Sequence, residues 1–421
     1  MFFPKVLKLK SYSKLYFAGF FSEMGAFITE TALMLLVFQL SGQNSAWLGI
    51  TRATFLIGLT AGTLSGGPLG QLVNRRHLLM GSYLIRLPAI GALFFLDHVI
   101  AIVLMNAIIA FATGVYNPSR QAMINELVPQ KHIREANGLF GSTMAILHLI
   151  GPFVGASLFV KFAGISEILW FNLLTYSLGI FLIYKIAYSP PPENIDDSQA
   201  LTPVNDFFRQ LRDGLHIMWK RDDFKAIVIN SSVAGLSIGM LVPLLLPYTT
   251  KVLGQPETAY GILLSCFGLG GIIGGYLSKK LSDRYKTGQI ITISICCEPL
   301  MMVLFLLSPH FSIALFTFFI WGIAVFTRIP SQLNHLSESV DTKLLTRAHS
   351  LLDMSFVLPN ILGGIIIGTL GNIYSPKIIL SFTAIFFVSA IYLRLKTKSV
   401  QALFKSDVEK VERESFNMDR L

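Results

Sequence analysis

Residues 114–155 read GVYNPSRQAMINELVPQKHIREANGLFGSTMAILHLIGPFVG. An apolar helix end, IIAFATGVY, runs into a short basic, amphipathic segment, which runs into a second apolar helix carrying Gly-Pro and spaced glycines. The pattern returns at 326–367: Pro118 matches Pro330, Glu126 matches Glu338, Ala136 matches Ala348 and Gly151 matches Gly363, without a gap. The same offset pairs Gly49 with Gly261, Gly58 with Gly270 and Gly62 with Gly274. A constant offset over about a hundred residues is the mark of a parallel internal repeat. In an apolar chain it implies two membrane bundles related by an axis along the membrane normal.

The chain is apolar enough. Of its 421 residues 53% are hydrophobic and 14% charged, against about 25% charged in soluble domains, and the mean hydropathy is +0.61. The 33 Phe and 34 Gly suit closely packed membrane helices. Twelve spans of about 20 residues take up roughly 240 residues, which leaves short loops and little room for a catalytic domain. The opening MFFPKVLKLKSYSKLYF superficially resembles a signal peptide. The apolar run from Leu15 to Leu40 is too long for one and lacks a small-residue cleavage site, so it reads as the first span. Cys266, Cys296 and Cys297 all fall inside spans, without metal-site spacing, and read as small apolar filler.

Spans are expected at 14–40, 47–72, 78–96, 99–119, 135–161, 168–187, 224–250, 257–279, 289–307, 311–328, 346–371 and 375–394. With the N-terminus cytoplasmic, the basic residues collect on one side: the N-terminal lysines, Arg75 and Arg76, Arg120 to Arg134, Arg209 to Arg221, Lys279 to Lys286, Lys343 to Arg347, and the tail with Lys396, Lys398, Lys405, Lys410 and Arg413. The opposite loops offer little beyond Lys161, Lys251 and Lys377. This is the positive-inside pattern, with both termini cytoplasmic. The net charge of +10 is therefore topological, and nucleic-acid binding is not expected. The fold class is an all-α membrane protein of two six-helix bundles, 1–187 and 224–395. Between them, 188–223 reads as a Pro-rich acidic linker followed by a surface amphipathic helix (Phe207, Phe208, Leu211, Leu215, Met218, Trp219). Residues 396–421 form a charged, poorly ordered tail.

Twelve spans, a six-plus-six repeat and a central cytoplasmic loop resemble the major facilitator superfamily over nearly the whole chain. YNPSRQAMINELVPQKHIREANGL with GPFVGA is similar to the fourth-to-fifth-helix region of bacterial facilitators of the enterobactin-exporter and macrolide-efflux type. FRQLRDGLHIMWKRDDF resembles the central-loop helix of that branch, and GGPLGQLVNRRHLLM stands where the superfamily has its loop motif between helices two and three. The resemblance implies a secondary transporter that rocks two bundles around a midplane site. The loop motif departs from pattern. Its usual Asp is Gln71 and its neighbouring base is Leu72, with Arg75 and Arg76 retained. In the second half the same places hold Asp283 and Arg284. A charged latch is thus expected to be weaker in the first half and stronger in the second. The first-helix Gly25 is followed by Ala26 where the branch commonly has an acid.

Ionisable groups at membrane depth cost about 2.5–3.5 kcal/mol on insertion scales and usually face a cavity or a partner. Glu23 and Glu30, two turns apart, share a face of the first span; either one exchanges a proton during transport or both close the bundle structurally. Arg52 meets an anionic substrate group or snorkels to the outer surface. Arg86 and Glu298 occupy matched places, and each is expected to have its own structural partner. Asp353, on an eleventh span that lines the cavity in this superfamily, is a substrate or proton candidate or a gate contact. Asn106, His148, Asn172, Tyr176, Asn230 and Asn360 are interhelical hydrogen-bond formers by default, and Asn230 is a further cavity candidate. Arg75, Arg76, Arg120, Glu126, Asp283, Arg284, Glu338 and Arg347 are expected to form a cytoplasmic gate, with Glu126 and Glu338 near Arg120, Arg134 and Arg347.

These observations lead to the expectation of a proton-coupled secondary transporter of the bacterial inner membrane, multi-pass and monomeric. It would export a small amphipathic or siderophore-like molecule by alternating access. The alternatives are inward movement of a siderophore or a lysophospholipid, and a non-transporting sensor or scaffold. The expected partners are the small-molecule substrate, protons and the lipid bilayer. No nucleotide motif or zinc spacing is present, so no enzyme, cofactor or metal is expected.

Overall fold

The computed structural model describes residues 5–188, 212, 215, 221–340 and 342–403. Among the described residues there are twelve long helices: α1 Lys10–Leu40, α2 Ser45–Leu72, α3 Arg75–Ala92, α4 Val99–Leu127, α5 Gln130–Phe162, α6 Ser166–Tyr184, α7 Asp222–Pro247, α8 Thr258–Ser282, α9 Thr287–Leu306, α10 Phe311–Ser339, α11 Thr342–Leu370 and α12 Pro376–Leu395. A π-helical turn, Tyr248–Val252, continues α7 after Pro243 and Pro247, where two prolines remove backbone donors. Among the described residues, ten helices are long and apolar enough to cross a membrane; α2 and α3 fall outside that set. α3 has 18 residues and carries Arg75, Arg76 and Arg86; it rises about 27 Å, just short of a bilayer core of about 30 Å.

The chain divides into two compact units. Unit 1 comprises Met1–Phe207 with Pro256–Ser265, and unit 2 Phe208–Gln255 with Cys266–Leu421. Both expose large apolar side chains along their helices, such as Trp170, Leu174 and Phe181 on α6 and Phe382, Ile385 and Leu393 on α12. Surfaces this apolar fit hydrocarbon rather than water.

The internal repeat is visible as packing. In unit 1, a Cβ at Gly58 would meet the Ala107 carbonyl oxygen at 2.5 Å, and one at Gly62 would overlap the Phe111 carbonyl oxygen. In unit 2, Gly270 stands as tightly against the Phe319 carbonyl, and a Cβ at Gly274 would meet the Ile323 carbonyl oxygen at 2.5 Å. Each contact is its counterpart moved by the repeat offset at both ends. The same holds for Gly151 against Phe27 and Gly363 against Gly239. The α2–α4 and α8–α10 seams are thus backbone laid on backbone, which only glycine permits.

The stretch that reveals the repeat folds differently from expectation in one respect. α4 does not end at 119 but continues through Pro118 to Leu127, leaving only Val128 and Pro129 before α5. Proline inside a membrane helix is tolerated when nearby hydroxyls bond the local backbone, and Ser119 Oγ donates to the Val115 carbonyl at 3.0 Å. α10 likewise runs past 328 to Ser339 through Pro330. Residues 398–403, expected to belong to a poorly ordered tail, form a further helical turn in which Val400 and Leu403 are buried. The expected linker, with Phe207, Phe208, Leu211, Met218 and Trp219, lies outside the described residues; Leu215 is exposed. The tail from 404 onward also lies outside them.

Candidate functional site

Unit 1 is built around a buried cation. Arg86, on α3, is 1% exposed. Its guanidinium carbon sits 5.3, 5.0 and 5.5 Å from the ring centres of Tyr83, Tyr116 and Tyr176. Nη1 donates to Ser22 Oγ and Nη2 to the Ala112 carbonyl, each at 3.3 Å. The single hydroxyl proton of Tyr83 is shared between the Ala18 carbonyl at 3.2 Å and the Tyr116 hydroxyl at 3.3 Å. Gly179 makes room for the Tyr83 ring, since a Cβ there would lie 2.9 Å from it. The aromatic faces supply the attraction that a carboxylate would otherwise provide.

Glu23 follows Ser22 on α1, half-buried and within electrostatic range of Tyr116, Tyr176 and Glu30. Among the described residues its side chain makes no hydrogen bond or ion pair. Glu30 is different: its Oε1 lies 3.7 Å from Arg52 Nη1, and Tyr260 is within electrostatic range of both. Arg52, expected to snorkel or to meet an anionic substrate group, lies against Glu30. Glu23 and Glu30 thus share a helix but not an environment. Asn172 Nδ2 donates to Thr29 Oγ1 at 2.8 Å, and His148 stands edge-on to Phe27 with ring centres 4.3 Å apart.

At the end of unit 1 that carries the α2–α3 turn, Asn74 caps α3 by accepting from the Arg76 N–H at 2.9 Å. Arg75 pairs with Glu126 of α4, and the Tyr188 hydroxyl donates to Glu126 Oε2 at 2.5 Å. Arg76 donates to the Tyr184 carbonyl and its guanidinium stands 5.4 Å from that residue's ring centre. Arg120 does not join this group. It is 7% exposed, with its guanidinium carbon 3.5 Å from the Phe140 ring centre.

In unit 2 the matched places hold an ion pair. Glu298 on α9 is 1% exposed, and its Oε1 accepts from Arg328 Nε at 2.5 Å. Arg328 Nη1 donates to Gln332 Oε1 at 2.9 Å. Arg86 and Glu298 therefore do have separate partners. A second buried cluster joins Asp223 of α7 to Arg221, at 3.1 and 2.5 Å, and to His335 Nε2 of α10 at 3.1 Å. Asn230 and Asn360 are buried with Oδ1 atoms that accept no hydrogen bond. Asp353 is exposed on α11, one turn after His349. Asp283 and Arg284 are exposed and their side chains make no hydrogen bond or ion pair among the described residues. Among the described residues, the charge contact at this end of the first half is Arg75 with Glu126. α4 and α10 end at matched positions, Leu127 and Ser339, but the repeat offset sets Thr287 where the first half has Arg75. Glu338 is exposed near the end of α10 and Arg347 half-buried on α11; the side chains of Gln71, Leu72, Arg134 and Lys343 lie outside those described.

Arg328, Gln332, Asp223 and His335 are not singled out by any motif in the sequence. Arg328 does carry a signal: the repeat offset that pairs Arg86 with Glu298 also pairs Tyr116 with Arg328, one helix further on. No group of three or more His, Cys, Asp or Glu able to hold a metal occurs among the described residues.

The chain is 25% identical over 293 residues to a putative bacilysin exporter of Bacillus subtilis, a match covering 68% of this chain and 69% of that protein. It is 24% identical over 252 residues to a Na(+), Li(+), K(+)/H(+) antiporter of Planococcus maritimus, covering 55% of this chain and 57% of that protein. Its fold superposes on a point mutant of the nucleoside transporter NupG with a TM-score of 0.75 at 15% identity, over 94% of this chain and 100% of that one. It superposes on a point mutant of a peptide transporter POT in complex with alafosfalin with a TM-score of 0.72 at 14% identity, over 95% and 94% of the two chains. The family model of the Major Facilitator Superfamily matches residues 15–364 and 227–414. With twinned seams, matched buried charges and that match along its length, the chain belongs to the major facilitator superfamily.

Proposed function

We propose that the protein is a proton-coupled exporter of a small amphipathic solute, working by alternating access in the bacterial cytoplasmic membrane as a monomer. All twelve helices span the bilayer, with both termini on the cytoplasmic side; the positive-inside distribution of Lys and Arg supports that orientation. The exporter named among its relatives and the antiporter named beside it favour outward movement coupled to protons.

The observation that carries the coupling is Glu23. It is a carboxyl group on an apolar helix, half-buried, without a donor of its own, beside the tyrosines that hold Arg86. A carboxylate already bound in an ion pair, as Glu30 is to Arg52, exchanges its proton at the expense of that pair; Glu23 has no such pair to break. Glu23 takes up the proton, and Arg75–Glu126–Tyr188 opens and closes with the cycle. Asp353 and Asn230 are secondary candidates for contact with substrate. The test is flux in proteoliposomes with and without a pH gradient, for wild type, Glu23→Gln and Glu30→Gln. Loss of gradient-driven flux in Glu23→Gln, with downhill exchange retained, is the expected result. Unchanged gradient dependence in Glu23→Gln overturns the assignment.

A further inference from the structure

Cations from three helices meet at the end of α6. The helix closes on Tyr184, with Lys185 as its C-cap, and its last carbonyls have no acceptor duty inside the helix. Lys14 of α1 donates to the Lys185 carbonyl at 2.5 Å. Arg76 of α3 donates to the Tyr184 carbonyl, and its guanidinium stands over the Tyr184 ring. Two cations thus sit on consecutive carbonyls. The third charge belongs to Lys185 itself, whose ammonium stands 4.2 Å from the Phe181 ring centre.

The balance of charge at this end is one-sided. A helix C-terminus carries about half a negative charge, too little for three cations. Among the described residues none of the three makes an ion pair. The carboxylates of the same end are committed elsewhere: Glu126 to Arg75 and Tyr188, and Glu135 to the Val6 N–H and His132. Donors are also in surplus. An ammonium has three N–H donors and a guanidinium five; Lys14 and Arg76 each use one, Lys185 uses none, and the Arg76 Nε is buried without an acceptor. The positive-inside bias puts lysine and arginine into loops. It does not gather them from three helices onto two adjoining carbonyls.

Apolar surface lies directly behind the charges. α1 begins at this end, so Phe17 lies one turn deeper than Lys14; α6 ends here, so Phe181 lies one turn deeper than Lys185. Phe17, Phe181 and Tyr184 are 39%, 50% and 64% exposed, turned toward hydrocarbon rather than toward the protein. A free anion accounts for the cations and leaves these rings without a role. A lipid accounts for both.

We propose that the ends of α1, α3 and α6 form a binding site for an anionic phospholipid. Its phosphodiester is held by Lys14, Arg76 and Lys185, and its acyl chains lie along Phe17 and Phe181. Basic pockets between membrane helices hold anionic headgroups by this combination of charge and depth. Arg76 adjoins Arg75, and Tyr184 stands one turn before Tyr188, so an occupied site borders the Arg75–Glu126–Tyr188 group.

The test is native mass spectrometry of the full-length protein released from dodecyl maltoside micelles. Wild type and variant are mixed in equal amounts with dioleoylphosphatidylglycerol or dioleoylphosphatidylcholine, and the first bound lipid is counted on each. Wild type is expected to prefer the glycerol lipid. Removing one cation, as in Lys185→Gln, is expected to weaken it about 5-fold, and the triple variant Lys14→Gln, Arg76→Gln, Lys185→Gln about 100-fold. Lys377→Gln, which removes an exposed cation just before α12, is expected to leave binding unchanged. The Lys185 side chain makes no hydrogen bond, so Lys185→Gln carries the test alone if the triple variant does not fold. Equal binding of the two lipids, wild-type affinity in Lys185→Gln, or an equal loss in Lys377→Gln overturns the proposal. Displacement of the lipid by glycerophosphoglycerol at equal concentration overturns the assignment to a lipid in favour of a soluble anion. Binding needs no turnover, so the result is separate from the flux measured for Glu23→Gln.

Discussion

Arg328 donates to Glu298 from the position that, in the first repeat, is filled by Tyr116 facing Arg86. The two units thus solve one packing problem with opposite chemistry. Where α3 meets α4, a cation is held by aromatic faces; where α9 meets α10, an anion is held by a cation. Neither Arg86 nor Glu298 has much exposed surface, so each depends on the neighbour that its unit supplies.

Glu298→Gln strands the Arg328 charge in the interior. Removing one partner of a buried ion pair typically costs about 3–5 kcal/mol, and a fall in melting temperature in detergent is the expected readout. The double variant Glu298→Met with Arg328→Met is expected to recover most of that loss, since both charges leave together. A double variant no more stable than Glu298→Gln would count against the pair as the source of the effect.

Tyr116→Phe keeps the ring over Arg86 but removes the hydroxyl that accepts from Tyr83. The expected loss is about 1 kcal/mol, the net worth of one hydrogen bond. Tyr116→Leu also removes the π face and is expected to cost roughly 1 kcal/mol more. Equal melting temperatures for the two variants would mean that the aromatic face contributes nothing.

Gly62→Ala drives a methyl group into the Phe111 carbonyl oxygen. Overpacking of this kind costs about 1–3 kcal/mol. A methyl group at Gly81 would have nothing within 4 Å, so Gly81→Ala is expected to be neutral or to stabilise α3 by up to about 1 kcal/mol. Thermal melts of the two variants, made side by side, separate seam packing from helix propensity.

Glu126→Gln removes the charge that holds Arg75 and Tyr188. Partly exposed pairs are worth about 1 kcal/mol or less, so fold stability is expected to change little. The population of conformers, read as a spin-label distance distribution across α4 and α10, is expected to shift. An unchanged distribution argues against a gating role for this group.

The repeat is legible in the sequence because it is written in glycine, and a glycine facing a backbone cannot drift without separating two helices. Gly58, Gly62, Gly270 and Gly274 give the seams away by spacing alone. The charge partners are less legible. Tyr83, Tyr116 and Tyr176 come from three helices, and no spacing along one helix announces an aromatic enclosure. Arg328 stands at the expected end of a span, and only the continuation of α10 to Ser339 places it in the interior. Motif position draws attention to Asp283 and Arg284; the pairing of Arg75 with Glu126 depends on α4 running on to Leu127, past the expected end of its span. Arg120 falls among the exposed gate charges in a one-dimensional reading, where any charge near a basic turn looks solvated.

The two glycine seams carry a consequence for how such a protein changes over time. Each is specified by what its residues lack, and the surface opposite is peptide carbonyl, which every amino acid possesses. The rest of each helix is then at liberty to vary its side chains while the seam keeps its fit. A scaffold fastened by missing atoms can exchange nearly all of its visible vocabulary, one cargo for another, and remain the same machine.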